Sequence, residues 1–260
     1  MSTATATPPT ATRIVTDEER FLFDLNGYLV IPNALSAEQL AALNGRLDEQ
    51  IAARVDPRVG RHRFMQESLL TWGQPYLDLI DNPQVMPYLT EFIGERVRLD
   101  HDYIDIIRGG DGLTPSLHGG NTPFDECFFY DHRNGRIRCG LTVIAYNLHD
   151  VNPGDGGFGC IPATHKSNYP LPPAWHRLDT PVDCVRAVPG PAGSAIIFSE
   201  ALAHGTLPWK GAQERRTLFY KYSPSSISWS AKYYNHRDYA GLTPAQQALL
   251  EAPNARYGGR

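Results

Sequence analysis

The chain has 260 residues, 42% hydrophobic and 20% charged, with a formal net charge of −4. That length can bury a sizeable core and excludes wholesale disorder. The acidic balance argues against sequence-independent phosphate binding, so no nucleic-acid partner is expected. Gly (23) and Pro (21) are plentiful, which suits a turn-rich β protein better than a helix bundle.

The four cysteines, at 127, 139, 160 and 184, form no C-x-x-C pair, so a cysteine zinc cage is not expected. The N-terminus carries no apolar signal core, and no run approaches the ~18 apolar residues of a membrane span. The expectation is a cytoplasmic protein with reduced thiols and no membrane association. The sequence carries no signal of oligomeric state.

In chain order, residues 1–13 are low in complexity and are expected to be a disordered tail, with residues 14–260 forming one domain. Thr16 and Glu19 make a capping-box pattern ahead of Phe21, Leu22 and Leu25, and Gly27 supplies a stop. A short strand follows at 28–32. Ser36 and Gln39 repeat the capping box before Leu40, Leu43, Leu47 and Ile51, which predicts an amphipathic helix over 37–54. A third helix is expected from Asn82-Pro83 to Gly94. After Gly94 the texture turns β-like, with strands expected at 96–108, 137–148, 194–199 and 217–222 and a last short helix at 244–251. Helices followed by antiparallel-type strands predict an α+β fold, a β-sandwich core with helices packed outside.

Nine histidines are present, with no H-x-H pair, no H-E-x-x-H and no G-x-S-x-G. The Gly-Gly-Asp-Gly run at 109–112 lacks the helix and Lys of a phosphate loop. A metal site must therefore join histidines far apart in sequence. His118 lies in a loop after a strand, and His204 follows the strand 195–198, 86 residues later. Eleven residues beyond His204, Arg215 opens another strand. A chelating keto-acid requires such a set: a metal for its 2-oxo and carboxylate oxygens and a guanidinium for its far carboxylate. Taken singly, each residue reads as surface or core edge; together, in this order and spacing, they point to a site. Successive strand residues face opposite ways, so only one of Arg215 and Arg216 reaches it, and the spacing to His204 favours Arg215.

Residues 20–223 resemble the phytanoyl-CoA dioxygenase family of Fe(II)/2-oxoglutarate oxygenases. Four stretches carry the likeness: Leu117-His118-Gly119-Gly120 at that family's H-x-D segment; Leu148-His149-Asp150-Val151 with Asp155-Gly156-Gly157-Phe158; Ile161-Pro162-Ala163-Thr164-His165-Lys166, similar to a P-G-S-H-K loop; and Ala203-His204-Gly205 with Arg215. The resemblance implies a double-stranded β-helix (jelly-roll, cupin-like) core with flanking N-terminal helices. It also implies Fe(II), 2-oxoglutarate and O₂ as cofactors, and oxidation of a small molecule coupled to formation of succinate. His118 and His204 would then hold the metal, and Arg215 the 2-oxoglutarate.

The chain departs from that pattern at one position. Oxygenases of this kind use two histidines and one carboxylate, and here the expected Asp is Gly120. Three readings compete. A chloride fills the vacancy, as in related iron halogenases; a loop carboxylate replaces it, with Asp125 first and Glu126 second; or water occupies the position and the enzyme hydroxylates or desaturates, or the metal is lost. Thr142 and Tyr146 share a face of the 137–148 strand and are candidates to line the pocket, Thr142 at the cofactor; Tyr103 is a further lining candidate. His165 and His149 read as structural, and His132, His62, His176 and His236 as surface. No basic cluster suggests a CoA clamp, so a small natural-product or amino-acid-like substrate is expected. The missing carboxylate keeps a non-catalytic jelly-roll binding protein as the alternative. A cupin-type zinc enzyme would carry an H-x-H pair, which is absent.

Overall fold

The computed structural model describes residues 13–56, 58–109 and 115–255. Residues 1–12 of the expected tail and 110–112 of the Gly-rich run lie outside them. Both capping boxes form: Thr16 with Glu19 opens α1 (Asp17–Asn26), and Ser36 with Gln39 opens α2 (Ala37–Arg54). Each such cap contributes about 1 kcal/mol. Gly27 closes α1 in the left-handed region at φ 81°, a conformation that favours glycine, and the chain turns directly into β1 (Tyr28–Ile31). β2 (Arg61–Phe64) and the single-turn α3 (Gln74–Leu77) follow.

The third helix, α4 (Met86–Phe92), begins later than expected. Asn82 is spent on a turn instead: its side chain accepts from the Gln84 N–H at 2.9 Å and donates to the Ala34 carbonyl at 2.9 Å. Beyond it run β3 (Val97–Ile107), β4 (Ser116–His118), β5 (Tyr130–Arg133) and β6 (Arg136–Cys139), then β7 (Thr142–Asn147) and β8 (Gly157–Cys160). The strand expected over 137–148 is therefore split. At the break, the 127–129 segment crosses and takes the N–H groups of Gly140 and Leu141 on its carbonyls at 2.9 and 2.7 Å. The chain continues through β9 (Arg186–Ala187), β10 (Ala195–Ser199), β11 (His204–Leu207) and β12 (Arg215–Pro224) to α5 (Pro244–Leu249).

Two antiparallel sheets form the core, in the orders β1-β10-β7-β12-β3-β2 and β4-β11-β8-β9. One face of the larger sheet, including Ile104, Ile144, Tyr146, Ile197, Leu218 and Tyr220, is buried with Phe23, Leu43, Leu47, Tyr88 and Phe92 of the helices. Its other face packs on the smaller sheet through Val143, Ala145, Ile196, Phe198 and Phe219, against Phe158 and Cys160. The α+β jelly-roll expectation is met, with helices on the outer face of one sheet.

This alternation fixes which side chains reach the inter-sheet space. On β12 these are Arg215, Thr217, Phe219 and Lys221; Arg216 and Tyr220 face the helices. On β7 the inward residues are Val143 and Ala145. Thr142 shares parity with Ile144 and Tyr146 on the helix side, and its hydroxyl donates to the Gly140 carbonyl at 3.1 Å. Thr142, the candidate at the cofactor, and Tyr146 therefore lie on the helix side of β7 and not on its inter-sheet face. All six β7 residues are buried, so hydrophobicity could not distinguish the faces.

The smaller sheet sets His204 directly opposite His118 in the β11–β4 register. Gly205 makes that approach possible, because a Cβ there would lie 1.8 Å from the Ser116 carbonyl oxygen. Gly205→Ala should force β4 off β11, lowering the melting temperature by roughly 5–10 °C for a packing loss of about 2–3 kcal/mol. Thermal unfolding followed by circular dichroism checks this; an unchanged midpoint would contradict the close approach.

Candidate metal centre

β10 belongs to the larger sheet and β11 to the smaller, so residues 200–203 must cross between them. The crossing is tight: Leu202 N–H donates to the Ser199 carbonyl at 2.9 Å, and Glu200 N–H to that of Leu141 at 3.0 Å. The turn brings the Glu200 side chain beside the two opposed histidines. His118, Glu200 and His204 each offer a ligand atom within 4.8 Å of the others. The imidazole rings of His118 and His204 lie 4.2 Å apart, centroid to centroid. Glu200 and His204 are buried, while His118 stands at the rim.

The protonation states suit a divalent cation. His204 Nδ1 lies 2.7 Å from the Leu202 carbonyl, which can only accept, so Nδ1 carries the proton. That leaves the Nε2 lone pair facing Glu200 Oε2 at 3.8 Å. Burial pushes His204 down to about 4, with neighbouring His118 acting in the same direction. Burial also holds His118 below its ordinary range. Burial would raise Glu200, but Lys221 and the two histidines outweigh it and hold the carboxyl at about 2. Near neutral pH the group is two neutral imidazoles and one carboxylate, a donor set that fits Fe(II) with open positions.

Arg215 is 2% exposed, and among the described residues its Nε and Nη1 have no hydrogen-bond partner. Burial lowers it to about 10, so it stays charged at neutral pH. Thr217, two residues along the same face, is also buried with an unpartnered Oγ1. A buried guanidinium left unpaired is costly unless an anion meets it. Arg216 is fully engaged on the helix side, with Glu214 at 2.7 Å, Asn44 at 3.0 Å and Asp48 at 2.7 Å.

The other expected residues are placed elsewhere. Asp125 closes its own turn, accepting from the N–H groups of Cys127 at 2.7 Å and Phe128 at 3.3 Å, and it is not part of the three-residue group. Glu126 is likewise outside that group and exposed. Gly120 has φ 106° and open space where a Cβ would stand. His165 is buried and ties its loop to α1 through the Asp24 carbonyl at 2.9 Å. Tyr103 does face inward, stacked on Phe219 at 4.6 Å. Sequence reasoning missed Glu200 and Thr217. Parity with Arg215 at two residues' spacing was the available signal for Thr217; Glu200 had only its place four residues before His204. A cleft of 1220 Å³ between the Arg13–Val15 segment, α4 and the β5–β6 hairpin contains none of the three donor residues.

The fold and this group define a jelly-roll protein with a candidate divalent-metal centre. A sequence model of the phytanoyl-CoA dioxygenase family matches residues 118–217, a span that includes His118, Glu200, His204 and Arg215. The dioxygenase lolE1 of Epichloe uncinata is 24% identical over 259 residues, covering 93% of this chain and 96% of that protein. HygX of Streptomyces hygroscopicus, solved with nickel and 2-oxoglutarate, superimposes with a TM-score of 0.74 at 22% identity, over 82% of this chain and 88% of HygX. The epimerase SnoN, solved with Fe3+, alpha ketoglutarate and nogalamycin RO, gives a TM-score of 0.58 at 14% identity, over 79% and 82%.

The different settings of Arg215 and Arg216 have a measurable consequence in the ligand-free protein. Arg215→Met should raise the melting temperature by a few degrees, because replacing a buried charge that has two nitrogens without a partner among the described residues by an apolar side chain is worth about 1 kcal/mol or more. Arg216→Met should lower it by breaking the contacts to Glu214, Asn44 and Asp48. Parallel thermal melts decide the matter; a fall for Arg215→Met equal to that for Arg216→Met would show both guanidiniums to be structurally paired.

Proposed function

We propose that the chain is an Fe(II)- and 2-oxoglutarate-dependent oxygenase acting on a C–H bond of a small molecule. His118, Glu200 and His204 hold the metal, and Arg215 with Thr217 binds the far carboxylate of 2-oxoglutarate. The observation that carries this reading is a group of two neutral histidines and an ionised carboxylate, together with a buried guanidinium on the inner face of β12 that has two nitrogens without a partner among the described residues. The likeness to HygX, SnoN and lolE1 supports it. Iron bound with 2-oxoglutarate and O₂ would supply the oxidising power, with succinate and CO₂ as co-products.

The chain's own residues have separate tasks. Leu202 orients His204 through its carbonyl. Arg215 meets the co-substrate carboxylate in a buried setting where charge-assisted pairing is strong. Tyr103, His101 and the half-exposed Trp229 form a run of rings, with centroids 6.2 and 4.9 Å apart, that supplies an aromatic wall for the substrate. That wall favours a substrate with a ring face. Glu200 takes the role that Gly120 leaves open. Chloride as a metal ligand needs an open position that a third protein ligand fills, so oxygenation is preferred over halogenation. A purely binding role has no need of a buried Arg215 on the inner face of β12 together with such a donor set.

Anaerobic addition of Fe(II) and 2-oxoglutarate should produce a visible charge-transfer band, the same in chloride and in sulfate buffer. His204→Ala and Glu200→Gln should abolish or strongly weaken it. Arg215→Gln should raise the 2-oxoglutarate concentration for half-saturation by roughly 10- to 100-fold, the worth of a charge-assisted pair. Absence of the band in the unmodified protein would overturn the reading, and a band shifted by chloride would restore halide binding.

A further inference from the structure

The β12 residue Lys221 has no role in the assignment above, yet its charge is buried next to the donor group. Its side chain is 12% exposed, and it points between the sheets opposite Val143. Its Nζ lies 2.5 Å from Glu200 Oε1 and 5.4 Å from the centre of the Tyr103 ring. Glu200 Oε2 is the oxygen turned towards His204 Nε2, at 3.8 Å. The two oxygens of one carboxylate therefore have different partners.

This division matters because the carboxylate is a glutamate carried by a turn. A glutamate has one more rotatable bond than an aspartate, and either oxygen or both can bind a metal. A buried carboxylate without a counter-charge also tends to take up a proton or turn away. Lys221 meets both difficulties, since it supplies a fixed positive charge and occupies one oxygen from a rigid strand.

We propose that Lys221 is a positioning residue for the metal centre: by holding Glu200 Oε1 it presents Oε2 alone to the space between the histidines. The inference rests on the assignment of His118, Glu200 and His204 as the metal ligands. It gives a strand-borne lysine the task of orienting a turn-borne ligand and of keeping coordination positions free for the co-substrate. Partners of this kind, one step removed from the metal, typically account for 10- to 100-fold in affinity.

A double-mutant cycle on Co(II) affinity, read from visible absorption of the full-length protein, tests it. Lys221→Met should weaken Co(II) binding roughly 10- to 100-fold in the unmodified background. In a Glu200→Gln background the same substitution should change binding by less than about twofold, because Lys221 acts through the carboxylate that is no longer there. Equal losses in both backgrounds, or none in the unmodified one, overturn the proposal while leaving the ligand assignment in place. A Glu200→Gln variant that binds Co(II) undiminished overturns the assignment and the proposal together. If Lys221→Met does not fold by far-ultraviolet circular dichroism, Lys221→Gln, which keeps a donor and drops the charge, is read in the same cycle with the same expected outcome.

Discussion

The pairing of β11 with β4 is the constraint on which the site depends. It sets His204 opposite His118, and the bare backbone of Gly205 lets the strands close. Because β11 lies in the smaller sheet and its predecessor β10 in the larger, the connection between them crosses the sandwich edge, and Glu200 lies on that crossing. Three donor atoms from two sequence regions therefore meet through topology. A one-residue slip of β4 would turn His118 to the opposite face and leave Glu200 and His204 without their third partner.

The inner face of β12 carries the electrostatic burden. Arg215 is buried there and the Lys221 side chain is 12% exposed, at opposite ends of a stretch that also contains Thr217 and Phe219. Lys221 is matched by Glu200. Arg215 is not matched at Nε and Nη1, although Asp105, itself paired to Arg61 at 2.9 Å, moderates its setting. Leaving such a group unsatisfied lowers stability. In the proposed enzyme, binding of the co-substrate carboxylate offsets that loss, which links occupancy to stability.

Much of this was legible in the residues. The two capping boxes were readable because their signals are local, and Arg215 was separable from Arg216 by strand parity and spacing. His118 and His204 stood out through their flanking strands and the family resemblance, and they do lie side by side. The misplaced helix start at Asn82 reflects a side chain that serves a turn as readily as a helix cap. Thr142 was misassigned because β7 is buried on both faces. Short strands such as β8, Gly157-Phe158-Gly159-Cys160, lack the β-branched texture that marks a strand. Glu200 was invisible for a deeper reason. A charged residue in a turn is ordinary, and only the assignment of β10 and β11 to different sheets shows that this turn crosses the histidines. Asp125, by contrast, is close to His118 in sequence but occupied with its own turn.

In the proposed enzyme Glu200 supplies the carboxylate ligand of the metal. A crystal structure of the metal-loaded protein, with the ion located by anomalous scattering, measures it directly. The account predicts an ion bound by His118, His204 and one Glu200 oxygen at about 2.0–2.2 Å, as at other divalent sites, with Asp125 still accepting from the amides of its own turn. An ion bound by the two histidines with Asp125, a halide or water in place of Glu200 would contradict it.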